Sequence, residues 1–243
     1  CSGLQLRVHR FDSVLSLHCM KFLITGSSGF IGYHLTKRLL DAGHKVIGID
    51  NNNDFYSPAL KESRKKNLKA KNFKFYECSI NNIYIDDTDI DLAINLAAQP
   101  GVRIQKSKEY LYDYSNVNGF KSFCDFCNKN SISKIIYASS SSVYSDTGIG
   151  KFSESETKLN PKSKYGQSKL LNEIHAEKIT KNSDSSAIGL RFFSVYGPFG
   201  RPDMAYYSFT DSLKKSKTIL LNNSGNMYRD MTYIDDIIDG ICS

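Results

Sequence analysis

The apolar run Lys21-Phe22-Leu23-Ile24-Thr25 leads straight into Gly26-Ser27-Ser28-Gly29-Phe30-Ile31-Gly32, and these glycines open an amphipathic stretch over 29–42. A strand that turns sharply on glycine into a helix must carry its chain back over the sheet, which is the first half of a β-α-β unit. The pattern then repeats. Further strands are expected over 45–50, 73–77, 92–96, 134–139 and 186–192, and further helices over 58–68, 115–128 and 165–181. Short continuous apolar runs alternating with longer amphipathic ones predict a parallel sheet covered by helices on both faces. Between the third and fourth strands the connection is too short for more than one helical turn, since a parallel crossover needs about a dozen residues. The expected fold is therefore α/β, a Rossmann-like doubly wound parallel sheet.

The glycine loop also carries chemistry. In G-x-x-G-x-x-G the first glycine, Gly26, permits the tight turn, and the second, Gly29, lets backbone approach a pyrophosphate. The third, Gly32, allows close helix-on-strand packing, while the helix N-terminus opened by Phe30 and Ile31 receives the anion. Such a glycine pattern alone is weak evidence. Its context strengthens it: the second strand ends on Asp50, placed to bind the adenosine ribose hydroxyls, and a carboxylate there repels a 2′-phosphate and favours NAD over NADP. A strand-end turn acid is the plain alternative for Asp50.

Farther along, the strand over 134–139 runs into Ser139-Ser140-Ser141-Ser142, and Tyr165 and Lys169 follow four residues apart, on one face of a helix. An ammonium beside a phenol, together with the positive ring of an oxidised nicotinamide, favours phenolate, so the two are expected to lower the Tyr165 pKa and make it an acid/base. By itself a Tyr and a Lys at this spacing usually form a surface pair, and four serines a polar loop. Their order after the glycine loop and Asp50 points to a catalytic set.

Composition excludes more than it assigns. With 40% hydrophobic residues the 243-residue chain can bury a core, and no apolar run approaches the roughly 18 residues of a membrane helix. The net charge of +7 is mostly lysine, densest over 61–71, and is read as solvated faces rather than a nucleic-acid surface, because no aromatics interleave it. Six cysteines and five histidines lack ligand spacing, so no metal site is expected, and Cys124 and Cys127 read as small apolar residues facing inward in a reduced, cytoplasmic protein. Residues 1–19 lack a signal-peptide pattern and are expected to lie outside the fold.

Five blocks together resemble the extended short-chain dehydrogenases of the NAD-dependent epimerase/dehydratase family, most of all its UDP-glucuronate 4-epimerases. They are Ile24-Thr25-Gly26-Ser27-Ser28-Gly29-Phe30-Ile31-Gly32, Asn95-Leu96-Ala97-Ala98-Gln99-Pro100-Gly101-Val102-Arg103, Tyr137-Ala138-Ser139-Ser140-Ser141-Ser142-Val143-Tyr144, the stretch from Leu190 to Ala205 containing Gly200-Arg201-Pro202-Asp203-Met204, and Arg229-Asp230-Met231-Thr232-Tyr233-Ile234-Asp235-Asp236. The resemblance implies reversible oxidation at C4 of a UDP-sugar by bound NAD, with a 4-keto intermediate turning over in the pocket. It implies Ser140, Tyr165 and Lys169 as catalytic residues, and Gly26, Gly29, Phe30, Ile31, Gly32, Asp50, Ala97 and Lys169 as cofactor contacts. Ser141, Ser142, Arg201 and Arg229 fall to the substrate, Arg201 at its charged end and Arg229 at its diphosphate, and Asn116 to a brace behind the site. Ser79 stands where the family often places an aspartate against adenine, and Ser208 where some members have a second arginine. Related dehydratases and decarboxylases carry an acid in the serine stretch; none is present here, which favours epimerisation.

The expected organisation is an extension over 1–19, an NAD-binding domain over 20–193 and a partial, C-terminally incomplete substrate-binding region over 194–243. The expected partners are a UDP-sugar and a second copy of the chain, paired through the helices over 115–128 and 165–181, with neither nucleic acid nor membrane. The alternatives are another nucleotide-sugar epimerase or dehydratase, or a non-catalytic NAD-binding module.

Overall fold

The computed structural model describes residues 18–87, 89–144, 152–226 and 228–243. Of the expected N-terminal extension, 1–17 lie outside them. Six strands, β1 (Lys21–Thr25), β2 (Lys45–Asp50), β3 (Phe73–Glu77), β4 (Leu92–Asn95), β5 (Lys134–Ala138) and β6 (Ser186–Leu190), form one sheet in the order β3-β2-β1-β4-β5-β6, every pairing parallel. Numbering reverses direction between β1 and β4. Loops leaving those strand ends part to opposite faces there and open a crevice, the usual place for a ligand in such a sheet.

Side-chain alternation explains why the strands read as continuous apolar runs. Phe22 and Ile24 point to one face and pack with Phe30, Leu35, Leu39, Val46 and Ile94; Leu23 points to the other, among Ile47, Ile49, Ala93, Phe120, Phe123 and Cys127. Both faces are covered, the first by α1 (Phe30–Asp41) and the second by α3 (Gly119–Lys129). α2 (Pro58–Asn67) joins β2 to β3, and α4 (Lys164–Lys181) joins β5 to β6. The β3–β4 connection has no helix among its described residues; Ile80 and Ile90 anchor it to the core instead.

One expected helix is built differently. The stretch read as 115–128 begins as a π-helical segment, Tyr112–Asn118, before tightening into α3. The widened turn carries Asn116 inward, where its amide finds partners on two other segments.

Beyond β6 the chain forms β7 (Ser194–Tyr196), α5 (Ala205–Lys214), β8 (Met231–Tyr233) and α6 (Ile234–Cys242). β7 and β8 pair parallel. α6 repeats apolar residues at Ile234, Ile238 and Ile241, one helical face, and buries them with Val195 against the α1 side of the sheet. Asp235 and Asp236 in its first turn complement the helix dipole, and Asp239 pairs with Arg38 of α1 at 2.8 Å. The last helix of the segment expected at the sugar thus packs on the layer that holds the cofactor loop.

Candidate active site

At the mouth of the β1/β4 crevice, Gly26 adopts φ +73, a left-handed conformation that disfavours side chains, and a Cβ there would lie 2.7 Å from Ala97 N. A Cβ on Gly32 would lie 2.1 Å from Gly26 O, so only glycine lets α1 close on the loop. Gly26 N donates to Ile49 O (2.7 Å) and Ala97 N to Thr25 Oγ1 (3.3 Å), tying the loop to both neighbouring strands. α1 has neither a side-chain cap nor an acid in its first turn. Its free amides and dipole therefore face the crevice uncompensated, which suits a diphosphate.

Asp50 ends β2 almost fully buried. Its Oδ2 accepts from Ser28 N (3.1 Å) and Oδ1 from Asn52 N (2.9 Å), so the carboxylate is fixed beside the loop as a ribose reader must be. Lys61 of α2 lies 3.8 Å from Asp50 Oδ1 and donates to Asn53 Oδ1 (2.9 Å). Burial lowers the Lys61 pKa, and Asp50 partly restores it. The structure thus corrects the reading of the basic stretch as solvated faces: Lys61 and Arg64 are buried, and Arg64 has no exposure at all. The signal was available in the spacing, because Lys61, Arg64 and the buried Leu68 recur on one side of a helix. Burial of two cations nevertheless requires partners that local sequence does not name.

Toward the other end the same cavity is lined by Ala97, Ala98, Ser139, Ser140, Tyr165, Lys169 and Arg201, while the cradle residues Gly26, Gly29, Phe30, Ile31, Gly32 and Asp50 line its first half, with Ser79 near them. The Lys169 ammonium donates to Ala138 O (2.8 Å) and lies 5.9 Å from the centre of the Tyr165 ring. Burial lowers its pKa to about 8. For Tyr165, Lys169 is not among the groups of the chain that pull the phenol down. Burial raises the phenol, and the opposing pull comes from the Arg201 charge and a hydrogen bond with Ser140. The physical reason is solvation: in an enclosed site the loss of water around a phenolate outweighs a partner across the ring.

Two buried networks support these groups. Asn116 Oδ1 accepts from Gln99 N (2.7 Å) and Nδ2 donates to Ser168 Oγ (2.9 Å), whose hydroxyl donates to Tyr165 O (2.7 Å). Asn116 therefore steadies the first turn of α4, next to the phenol. One turn beyond Lys169, Glu173 accepts from Arg191 in a fork (2.9 and 2.8 Å) and from the Ser139 hydroxyl, clamping the β5 end that presents Ser140. Neither Glu173 nor Arg191 is singled out by sequence pattern. They meet only when α4 crosses the ends of β5 and β6.

Three expected substrate residues do not line this cavity. Ser141 and Ser142 lie half-buried in the short turn Ser141–Val143, where Ser142 N donates to Ser140 Oγ (3.1 Å), and Arg229 is exposed ahead of β8. Among the described residues no group of three or more His, Cys, Asp or Glu converges on a metal position, and no helix is long and apolar enough to cross a membrane. Cys124 and Cys127 do face inward, and burial raises both thiols, Cys124 to about 12.

Residues 22–243 match the NAD dependent epimerase/dehydratase family. Protein CapI of Staphylococcus aureus is 42% identical over 228 residues, which cover 91% of this chain and 68% of that protein. UDP-glucuronate 4-epimerase 4 of Arabidopsis thaliana is 39% identical over 90% of this chain, though the match spans only 52% of the plant protein. The crystal structure of UDP-glucuronic acid 4-epimerase from Bacillus cereus, in complex with UDP-glucuronic acid and NAD, superposes with a TM-score of 0.85 at 35% identity, covering 91% of this chain and 72% of that one.

Proposed function

The chain belongs to the NAD-dependent epimerase/dehydratase family, and from that premise we propose that it inverts C4 of UDP-glucuronate to give UDP-galacturonate. The observation that carries this reading is one cavity lined by the glycine cradle and Asp50 at one end and by Ser140, Tyr165, Lys169 and Arg201 at the other. NAD, when bound, supplies a reversible hydride acceptor. The chain's own groups do the rest. Gly26, Gly29 and the α1 N-terminus hold the diphosphate, and Asp50 takes the ribose hydroxyls. Ser140 holds the sugar's 4-hydroxyl against Tyr165, which removes the proton as C4 is oxidised and returns it afterwards. Arg201, charged and beside Tyr165, neutralises the sugar carboxylate.

Asp50 is the sole carboxylate on the described cavity wall, and backbone amides hold it at the ribose end. A dehydratase would need an acid at the sugar, so the lining supports epimerisation. Incubation with UDP-glucuronate is expected to yield UDP-galacturonate. A chain that retains NAD without any turnover would be an NAD-binding module, and the proposal would be lost.

We also propose that two copies pair through the outer faces of Tyr112–Asn118, α3 and α4, where Tyr114, Leu171 and Ile174 are about half exposed. Sedimentation is expected to show a dimer that Leu171→Asp with Ile174→Asp converts to monomer; an unaltered mass would exclude this face.

A further inference from the structure

Arg64 is buried without solvent exposure, and no carboxylate pairs with it among the described residues. A guanidinium desolvated without a counter-ion is unfavourable, and an apolar side chain of similar size would fill the space more readily. What the guanidinium adds is a rigid fork of donors. Nη1 donates to Ser28 O (2.9 Å), in the glycine loop, and to Tyr56 Oη (2.6 Å); Nη2 donates to Phe199 O (2.6 Å), 135 residues away.

The residue at that far end is itself constrained. Phe199 has φ +54, a left-handed conformation unfavourable for a bulky side chain, so the surrounding structure must hold it there. Its ring lies 5.2 Å from Tyr33, and His34 Nε2 donates to the preceding carbonyl, Pro198 O (2.9 Å). Two successive carbonyls of this loop are thus gripped by α1 and α2. Two residues on stands Arg201, which lines the cavity, pairs with Asp203 and lies 5.9 Å from the centre of the Phe55 ring.

We infer that Arg64 is a positioning residue that couples the dinucleotide cradle to the Gly197–Arg201 loop, so that the sugar-reading Arg201 is set in place from the cofactor side. This rests on the reading of Arg201 as the contact for the substrate carboxylate. Arg64 itself does not line the cavity. The cradle keeps its own supports, the bonds from Gly26 N to Ile49 O and from Ser28 N to Asp50, when Arg64 is changed.

The test compares Arg64→Lys, which keeps the buried charge but cannot span Ser28 O and Phe199 O, with Arg64→Met. In the NAD-loaded chain both are expected to weaken UDP-glucuronate about ten-fold, the loss of one charge-assisted hydrogen bond. UDP-glucose, which lacks the carboxylate, and NAD itself should each change by less than about three-fold. Amide exchange at Gly200 and Met204, whose N–H groups bond within the loop, should quicken about ten-fold. Equal weakening of both UDP-sugars, or unchanged exchange in both variants, overturns the inference. Should the unaltered chain bind UDP-glucuronate no better than UDP-glucose, the carboxylate role of Arg201 falls, and amide exchange alone still decides whether Arg64 holds the loop.

Discussion

Two buried lysines stand on the wall of one cavity, and their surroundings differ in one respect. Lys61, at the ribose end, has Asp50 at 3.8 Å and the Asn53 amide oxygen at 2.9 Å; Lys169, at the sugar end, has a backbone carbonyl, Ala138 O, at 2.8 Å and no carboxylate pair among the described residues. Burial lowers both pKa values, but only Lys61 has a neighbouring charge that pulls it back, and Lys169 falls to about 8. At the cradle end Lys61 is charge-compensated and geometrically fixed by Asp50 and Asn53, which suits recognition. At the sugar end a cation is left uncompensated beside a phenol, and this suits an acid/base whose charge changes during the reaction.

The largest effect should come from removing the phenol. Tyr165→Phe is expected to lower kcat about 10³-fold, within the range of general acid/base catalysis, while NAD affinity stays unchanged by calorimetry. A parallel loss of NAD binding would mean that the two ends are not separable.

Stability should carry the mark of Lys169. Its folded pKa, about 8, lies below the unfolded value of 10.5, so between those pH values the unfolded chain binds more protons and unfolding free energy rises with pH. The penalty is fully present below pH 8 and is relieved as pH rises toward 10.5, at most about 3 kcal/mol. Urea midpoints at pH 7.5 and 10 should show this slope in the unaltered chain and its loss in Lys169→Met. Equal slopes would show that Lys169 is compensated after all.

Gly32→Ala places a methyl 2.1 Å from Gly26 O, and overpacking against backbone should destabilise by about 2 kcal/mol. Thermal unfolding with and without NAD should show a lower Tm and a smaller gain from the cofactor. A normal gain would mean that the loop tolerates displacement.

Asp50→Asn sharpens the contrast by making Lys61 resemble Lys169. It keeps a side-chain oxygen but loses the charge, and NAD should weaken about ten-fold. NADP should lose less affinity or gain some, since repulsion of the 2′-phosphate is gone. An unchanged ratio of the two Kd values would show that Asp50 does not discriminate them.

Every strand of the six-stranded sheet was legible to within two residues at its ends, because the alternation that feeds both faces of a parallel sheet is written locally in runs such as Phe22-Leu23-Ile24 and Val46-Ile47; the short β7 and β8, which carry no such run, were not. The glycine cradle was legible from its spacing: the demand on Gly32 comes from Gly26 and Ser27 in the same β-α turn, although the groups that crowd Gly26, Leu96 and Ala97, follow the distant strand β4. The π-helical segment was not. Apolar spacing cannot separate it from an α-helix, and the partners of Asn116, Gln99 and Ser168, lie 17 and 52 residues away.

From the order of the residues alone came the doubly wound sheet, the glycine loop that opens α1, Asp50 at the end of β2 and the pairing of Tyr165 with Lys169 on one helical face, since each depends on spacing within one strand, turn or helix. Tertiary structure decided the electrostatics. That Lys61 is compensated and Lys169 is not, that burial raises the Tyr165 phenol despite its neighbours, and that Arg64 spans from the glycine loop to Phe199 all depend on which distant groups share a desolvated volume. In such a volume charges interact strongly and through space, and sequence spacing carries no measure of that distance.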